Sequence, residues 1–243
     1  MTVLSVENVS KRYRRGRREY PALRGVSLAI ERGELAVVLG TRKSGRSTLL
    51  RIAAGLERPD EGVVRFERTP LTASRDVIGR RISYCRTSFS PMEGESVLDH
   101  VATGLLAQRA SPAAARRAAE CALERTGVAD CAGMNPEELN AAEAVRVAIA
   151  RALAPAPSVL VIDDPTAAVG FLHGDAVLQL LRSIAGEGVA VLMSSDDATS
   201  IPGADRSFSL DDGILRFDVQ APRADVVPLR RHTLGAEPDA HLG

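Results

Sequence analysis

An α/β fold with a helical insertion follows from three features of the 243-residue sequence. Residues 34–40 (ELAVVLG) form a nearly unbroken apolar run that leads through a glycine-bearing loop into helix formers at residues 47–55. A second run at 158–162 (SVLVI) precedes a helical pattern at 175–184 and a third run at 189–193, the strand–helix–strand order of a sheet flanked by helices. Between these halves, over roughly residues 88–155, the chain turns rich in Ala, Arg and Glu and carries helix-start signals.

Taken in order, Val26, Leu28 and Ile30 alternate with small or polar residues, the period of a strand. The unbroken run at 34–40 is what a strand covered on both faces looks like. Residues 47–55 end at Gly55, a common helix stop. Ser111-Pro112 is a helix start, with the serine placed to cap and the proline in the first turn, where no N–H is needed; residues 113–125 follow as the helix. Asn140 is placed to cap a helix over 141–153. Asp211-Asp212-Gly213 between apolar residues predicts a hairpin turn. Residues 219–243, with scattered proline and charge, are expected to form a loosely ordered tail, leaving 1–218 as the folded unit.

Composition narrows the function. With no Trp and 3% aromatics, the core must be built from Ala, Leu, Val and Ile. The 31 Lys and Arg balance 31 Asp and Glu, which removes the global basic bias of a nucleic-acid binder, and no nucleic-acid partner is expected. Cys85, Cys121 and Cys131 lack CxxC spacing and are odd in number, so they read as free thiols, and the four His are scattered with no sign of a metal cluster. No apolar stretch reaches the roughly 18 residues needed to cross a bilayer, and residues 1–10 lack the pattern of a signal peptide. A cytoplasmic chain that meets the membrane through a partner is expected. The cluster KRYRRGRR at 11–18 reads either as a contact for anionic lipid or an acidic partner segment, or as a solvated loop between the first two strands.

The stretch GTRKSGRST at 40–48 sits where a phosphate-binding loop belongs, between a buried strand and a helix whose N-terminal N–H groups converge on an anion. Gly40, Gly45 and Ser47 fit G-x-x-x-x-G-K-[ST], with Ser44 and Thr48 flanking, but Arg46 stands at the lysine position. Its flat guanidinium is a poor substitute for a compact ammonium. Lys43 stands where a third glycine is common and is strained if the backbone there needs positive φ. Taken alone, the stretch is equally an ordinary glycine-bearing turn.

The surrounding segments decide between these. RGVSLAIERGE (24–34), AGLERPDEG (54–62), RVAIARALA (146–154) and SVLVIDDPT (158–166) follow one another in an order and spacing that resemble an ABC transporter ATPase over roughly residues 1–217. Within that superfamily the chain is most similar to the lipoprotein-release and macrolide-export type. The resemblance implies a P-loop NTPase core with an antiparallel β subdomain and an inserted helical subdomain. It implies ATP and Mg²⁺ as cofactors, a transmembrane permease subunit and a second ABC ATPase subunit (homo- or heterodimer) as partners, and a place at the inner face of the membrane.

Residue by residue, the resemblance places Tyr13 at the adenine-stacking position and Ser47 and Asp163 at the Mg²⁺ ligands. The glutamate that polarises the attacking water falls on Asp164, one methylene shorter. The glutamine that senses metal and water falls on Thr87, the switch histidine on Asp196, and the D-loop aspartate on Gly170. Asp196 sets an acid where the γ-phosphate normally meets a donor. The signature L-S-G-G-Q becomes Leu139-Asn140-Ala141-Ala142-Glu143, with two added methyl groups and a negative charge where a partner's nucleotide approaches; Asn140 and the helix N-terminus remain as donors. Phe89, Pro91 and Met92 fall in the region that docks a permease. Together these departures predict weakened or lost hydrolysis in a chain retained for binding or structure. An active ATPase subunit and a regulatory module outside transport are the other two readings.

Overall fold

The computed structural model describes residues 1–16, 18–71, 77–87, 94–167 and 169–218. Two sheets organise it. The first is antiparallel, with strand order β2-β1-β4-β5, built from β1 (Thr2–Arg15), β2 (Arg18–Glu31), β4 (Glu61–Phe66) and the short β5 (Thr69–Pro70). The second has order β10-β9-β3-β8-β7-β6, from β3 (Leu35–Leu39), β6 (Ile82–Cys85), β7 (Val159–Ile162), β8 (Ala190–Ser195), β9 (Arg206–Asp211) and β10 (Ile214–Asp218). Its strands pair in parallel from β9 to β6, and β10 closes the edge antiparallel to β9. Helix α1 (Arg46–Ala53) follows β3; α2 (Val97–Ala107), α3 (Pro112–Thr126) and α4 (Ala141–Leu153) form the insertion before β7; α5 (Gly170–Gly186) joins β7 to β8.

The parallel sheet is apolar on both faces because its central strands are covered on both. Leu35, Val37, Leu160, Ile162, Val191 and Met193 point to one side, where they share a core with α5 and with the inserted helices. Ala36, Val38, Val159, Val161, Ala190 and Leu192 point to the other, against α1 and the inner face of the antiparallel sheet. This period of two, with burial on both faces, is why residues 34–40 and 158–162 read as unbroken apolar runs. Tertiary burial of this kind, at about 25 cal/mol per Å² of apolar surface, is what holds a core without tryptophan together.

The local signals act as their chemistry predicts. Ser111 accepts a hydrogen bond from the Ala114 N–H at the start of α3, with Pro112 in the first turn. Asp212 and Gly213, with φ of 45° and 77°, make the two-residue turn between β9 and β10, the all-positive φ of a type I′ hairpin. Helix α5 runs further at both ends than the predicted 175–184. Its early glycines each cost about 0.5–1 kcal/mol relative to alanine, which burial of Val177, Leu178, Leu181 and Ile184 offsets.

The basic segment is a correction. Residues 11–15 belong to β1, not to a loop, because the β1–β2 pairing continues to Arg15↔Arg18. Lys11 pairs with Asp60 at 3.0 Å, Arg12 with Glu61 at 3.3 Å and Arg14 with Glu19 at 2.6 Å, so much of its charge is matched within the chain. Phe89, Pro91 and Met92, and the tail at 219–243, lie outside the described residues.

Candidate functional site: a phosphate loop facing an acidic sheet edge

The loop after β3 has the geometry its glycines predict. Gly45 adopts φ 107°, and a Cβ there would stand 2.3 Å from the Ala22 carbonyl oxygen. A Cβ on Gly40 would stand 2.5 Å from the Leu210 oxygen and 2.6 Å from Ser44 Oγ. Lys43 carries φ 71°, the strained backbone anticipated for a side chain at that position. Gly45 offers no side chain to cap the first N–H groups of α1, which leaves the helix N-terminus open to an anion. The loop is braced from outside: the Gly213 N–H donates to the Ser44 carbonyl (3.0 Å), and the Arg24 N–H donates to the Gly213 carbonyl (2.9 Å).

Opposite the loop, β7 and β8 end in acids. The Ser194 hydroxyl donates to Asp163 Oδ1 at 2.6 Å and accepts the Asp164 N–H at 3.0 Å, tying the two strand ends together. The Tyr84 hydroxyl donates to the other Asp163 oxygen at 3.4 Å; burial and the Asp163 charge push its pKa up to about 12, so it stays a donor. Asp196 follows β8 directly and is exposed. Burial pushes the Asp164 carboxyl up, Asp196 and Asp163 push it further, and Arg46 opposes them. Thr87, half-buried, leaves the same end of the sheet two residues past β6.

Arg46 does not reach out over the loop. Its guanidinium is largely buried, 4.0 Å from Asp164 Oδ2. Ser44 Oγ, Arg46 Nη1 and Asp164 Oδ1 are buried without a hydrogen-bond partner. Buried polar groups are almost always paired. Three orphans gathered around one loop are therefore best explained by a ligand that supplies both acceptors and donors. A phosphate chain with its counter-ion does so, and the Ser47 hydroxyl with the Asp163 carboxylate is a hard-oxygen set suited to Mg²⁺. The residues present fit both groups.

Tyr13 is anchored by its hydroxyl, which donates to Glu57 at 2.6 Å and accepts from Arg51 at 3.1 Å, with the residue still 37% exposed. Sequence reasoning missed this clamp, and it missed Ser194 and Tyr84. The available signal for the last two was a hydroxyl next to the last residue of each short strand.

Leu139, Asn140, Ala141, Ala142 and Glu143 are not brought to the loop. The start of α4 opens on a separate cavity of about 650 Å³, also lined by Asp130, Cys131 and Arg146. Part of its N-terminus is capped from within the chain. Asn140 Oδ1 accepts from the Ala142 and Glu143 N–H groups, and the Glu143 carboxylate accepts from the Asn140 N–H, a closed capping box. The Ala142 and Glu143 N–H groups are thus engaged within the chain.

A strand, a glycine-bearing phosphate loop and a helix facing a strand that ends in acid define a nucleotide-binding P-loop protein. The family model for ABC transporters matches residues 23–167, and the chain belongs to that family. It is 34% identical over 222 residues to the cell division ATP-binding protein FtsE of Escherichia coli, covering 89% of this chain and 99% of that protein. It is 34% identical over 205 residues to the lipoprotein-releasing system ATP-binding protein LolD of Myxococcus xanthus, covering 82% and 92%. With the macrolide export ATP-binding/permease protein MacB of Nitrobacter winogradskyi it shares 32% identity over 221 residues, 89% of this chain but 34% of that longer protein. A dimeric ATP-binding cassette solved in a post-hydrolysis state with ADP and phosphate superimposes with a TM-score of 0.80 at 28% identity, covering 90% of this chain and 98% of that one. Among the described residues, no helix is long and apolar enough to cross a membrane.

Proposed function

We propose that this chain is the nucleotide-binding subunit of an ABC transporter of the export or lipoprotein-release type, with hydrolysis at its own site weakened or lost. The observation that carries this reading is the orphaned trio Ser44 Oγ, Arg46 Nη1 and Asp164 Oδ1. The trio retains the need for a phosphate ligand, while the group at the catalytic position, Asp164, faces Arg46. ATP would lie with its phosphates against the first turn of α1 and its base on Tyr13. Ser47 and Asp163 would hold Mg²⁺, whose chemistry is to neutralise phosphate charge.

What the chain's own residues then do is bind and orient. Asp164 lacks the reach of a glutamate, Thr87 the reach of a glutamine, and Asp196 repels where a donor is needed. Groups that act as a unit lose activity non-additively, so one direction follows and no product of factors. The capped start of α4 weakens the other half of a head-to-tail dimer site in the same way. The chain would meet a permease at the inner face of the membrane and pair with a second ABC ATPase subunit, serving as a nucleotide-gated clamp.

Calorimetric titration with Mg-ATP, with Arg46→Ala as control and phosphate release followed in parallel, tests this. Binding that Arg46→Ala markedly weakens, with little phosphate release, is expected. Turnover like that of an intact cassette would return the chain to the active ATPase subunits. Absence of binding would remove the nucleotide from the proposal.

A further inference from the structure

Aromatic side chains are scarce in this chain, with 3 Tyr, 5 Phe and no Trp, yet two of the three tyrosines face each other across one hairpin. The β1–β2 ladder is regular from Arg12↔Pro21 to Arg15↔Arg18 and sets Tyr13 directly opposite Tyr20. Residues opposite one another in an antiparallel pair share a face of the sheet, with Cβ atoms about 4.5–5.5 Å apart. The next pair shows this on the other face, where Arg14 meets Glu19 at 2.6 Å. The face that Tyr13 and Tyr20 share is turned to α1, because the Tyr13 hydroxyl lies 3.4 Å from Thr48 Oγ1. β2 reaches the phosphate loop two residues past Tyr20, roughly 7 Å along the strand. There the Ala22 carbonyl oxygen is the atom that excludes a Cβ from Gly45. Both tyrosines are open to solvent, Tyr20 the more so at 48%. A nucleotide whose phosphates rest on the first turn of α1 carries its base one ribose away, beside this pair.

We propose that Tyr20 is a second base-binding residue, so that the hairpin contacts the nucleobase from both of its strands. The proposal rests on the nucleotide-binding reading above and adds a residue to that site. Tyr13 is the fixed half of the pair: Glu57 and Arg51 hold its hydroxyl, and the Lys11 ammonium lies 5.8 Å from its ring centroid. Tyr20 supplies the second flat, apolar surface. Contact between a base and an aromatic ring tolerates any base, because every base has a π face. The pair therefore distinguishes a nucleotide from a bare phosphate chain, which finds nothing to stack on.

The test is a pair of calorimetric titrations of the full chain with Mg²⁺ complexes. One uses the β,γ-imido analogue of ATP, which is not cleaved; the other uses inorganic tripolyphosphate, which has three phosphates and no base. The analogue is expected to bind the parent chain more tightly. Tyr20→Ala is expected to weaken the analogue about tenfold and to leave tripolyphosphate nearly unchanged. Tyr20→Phe should keep the parent affinity, whereas Tyr20→Leu, apolar but not flat, should not; thermal melts of each variant guard against an effect of folding. Tyr20→Trp gives a direct reading, since it would be the single tryptophan of the chain. Its fluorescence should change with the analogue and not with tripolyphosphate. Equal weakening of both ligands by Tyr20→Ala would assign Tyr20 to the hairpin alone, and unchanged affinity for the analogue would remove it from the site. Tripolyphosphate that binds the parent as tightly as the analogue would remove base contact altogether. Each of these overturns the proposal and leaves phosphate binding at the loop standing. If neither ligand binds the parent chain, the nucleotide-binding reading fails and this inference falls with it.

Discussion

The Arg46 guanidinium lies 4.0 Å from the Asp164 carboxylate, an ion pair in which Nη1 and Oδ1 each lack a hydrogen bond. Charge is balanced there, but directional bonding is not satisfied. A phosphate oxygen that reaches Nη1 supplies what Asp164 does not. Arg46→Ala is therefore expected to weaken nucleotide binding by roughly 10- to 100-fold, the worth of a hydrogen bond between charged groups. Arg46→Lys is expected to bind more tightly than the parent, because a compact ammonium reaches phosphates that the planar fork approaches poorly. Calorimetry on both variants checks it, and equal affinities across the series would remove Arg46 from the site.

Asp164 itself is the second test. Its backbone is held at φ 47° and its N–H is fixed on Ser194 Oγ, so lengthening the side chain changes reach without changing the frame. Asp164→Glu alone is expected to raise phosphate release less than about tenfold, although positioned bases are worth roughly 10²–10⁴-fold, because Thr87 and Asp196 still fail their partners. Adding Thr87→Gln and Asp196→His should raise it well beyond the single change. Full turnover from Asp164→Glu alone would contradict the argument.

Helix α4 gives a stability prediction separable from binding. Asn140 Oδ1 satisfies two first-turn donors and Glu143 returns a third bond. Asn140→Ala should cost about 1 kcal/mol. For a chain of this size that is roughly 2–4 °C of Tm in a scanning experiment. Affinity for nucleotide in the isolated chain should not change, since α4 opens on a cavity that none of the loop residues line.

How much of this was legible in sequence follows from the range of each interaction. The caps at Ser111 and Asn140, the hairpin at Asp212-Gly213 and the strained Lys43 involve neighbours in sequence, so their chemistry could be read directly. The β3 and β7 strands were legible because burial on both faces leaves no polar residue in the run. What escaped depends on contacts far apart in the chain: Ser194 on Asp163 and Asp164, Tyr84 on Asp163, Arg51 and Glu57 on Tyr13, and the turn of Arg46 toward β7. The continuation of β1 through Arg15 escaped because a run of charge has the composition of a loop, whereas pairing with β2 and acids at Glu19, Asp60 and Glu61 make it a strand.

Acid should loosen the helical insertion through His100. The ring is buried on α2, with Arg151 of α4 at 3.3 Å from one nitrogen and Glu95 at 3.4 Å from the other. Burial and then Arg151 hold its pKa below the ordinary 6.5, with Glu95 opposing. A lowered folded-state pKa means that the unfolded chain binds the proton more readily. The contribution to stability is therefore present above about pH 6.5 and is lost as pH falls toward the folded value. Urea midpoints measured at pH 7.5 and 5.5 should differ more for the parent than for His100→Gln. An equal drop in both would assign the acid sensitivity to other groups.

Gly213 ties the edge hairpin to the phosphate loop, and its replacement should be felt at both. The residue holds φ 77°, and a Cβ would stand 2.8 Å from the Ala22 carbonyl oxygen, a backbone atom that must move to admit it. The same carbonyl is what a Cβ on Gly45 would strike, so displacing Ala22 presses on the phosphate loop directly. The Gly213 N–H is also the donor to the Ser44 carbonyl. Gly213→Ala is expected to cost about 1–3 kcal/mol through its strained backbone, lowering Tm. It should also weaken nucleotide binding measurably. Asp212→Asn is the control: asparagine tolerates the same positive φ, and the change gives up only the exposed pair with Arg24, worth about 0–1 kcal/mol. Loss of affinity in Gly213→Ala but not in Asp212→Asn would establish the hairpin turn as a support of the site. Reduced Tm with unchanged affinity would confine Gly213 to the stability of the edge.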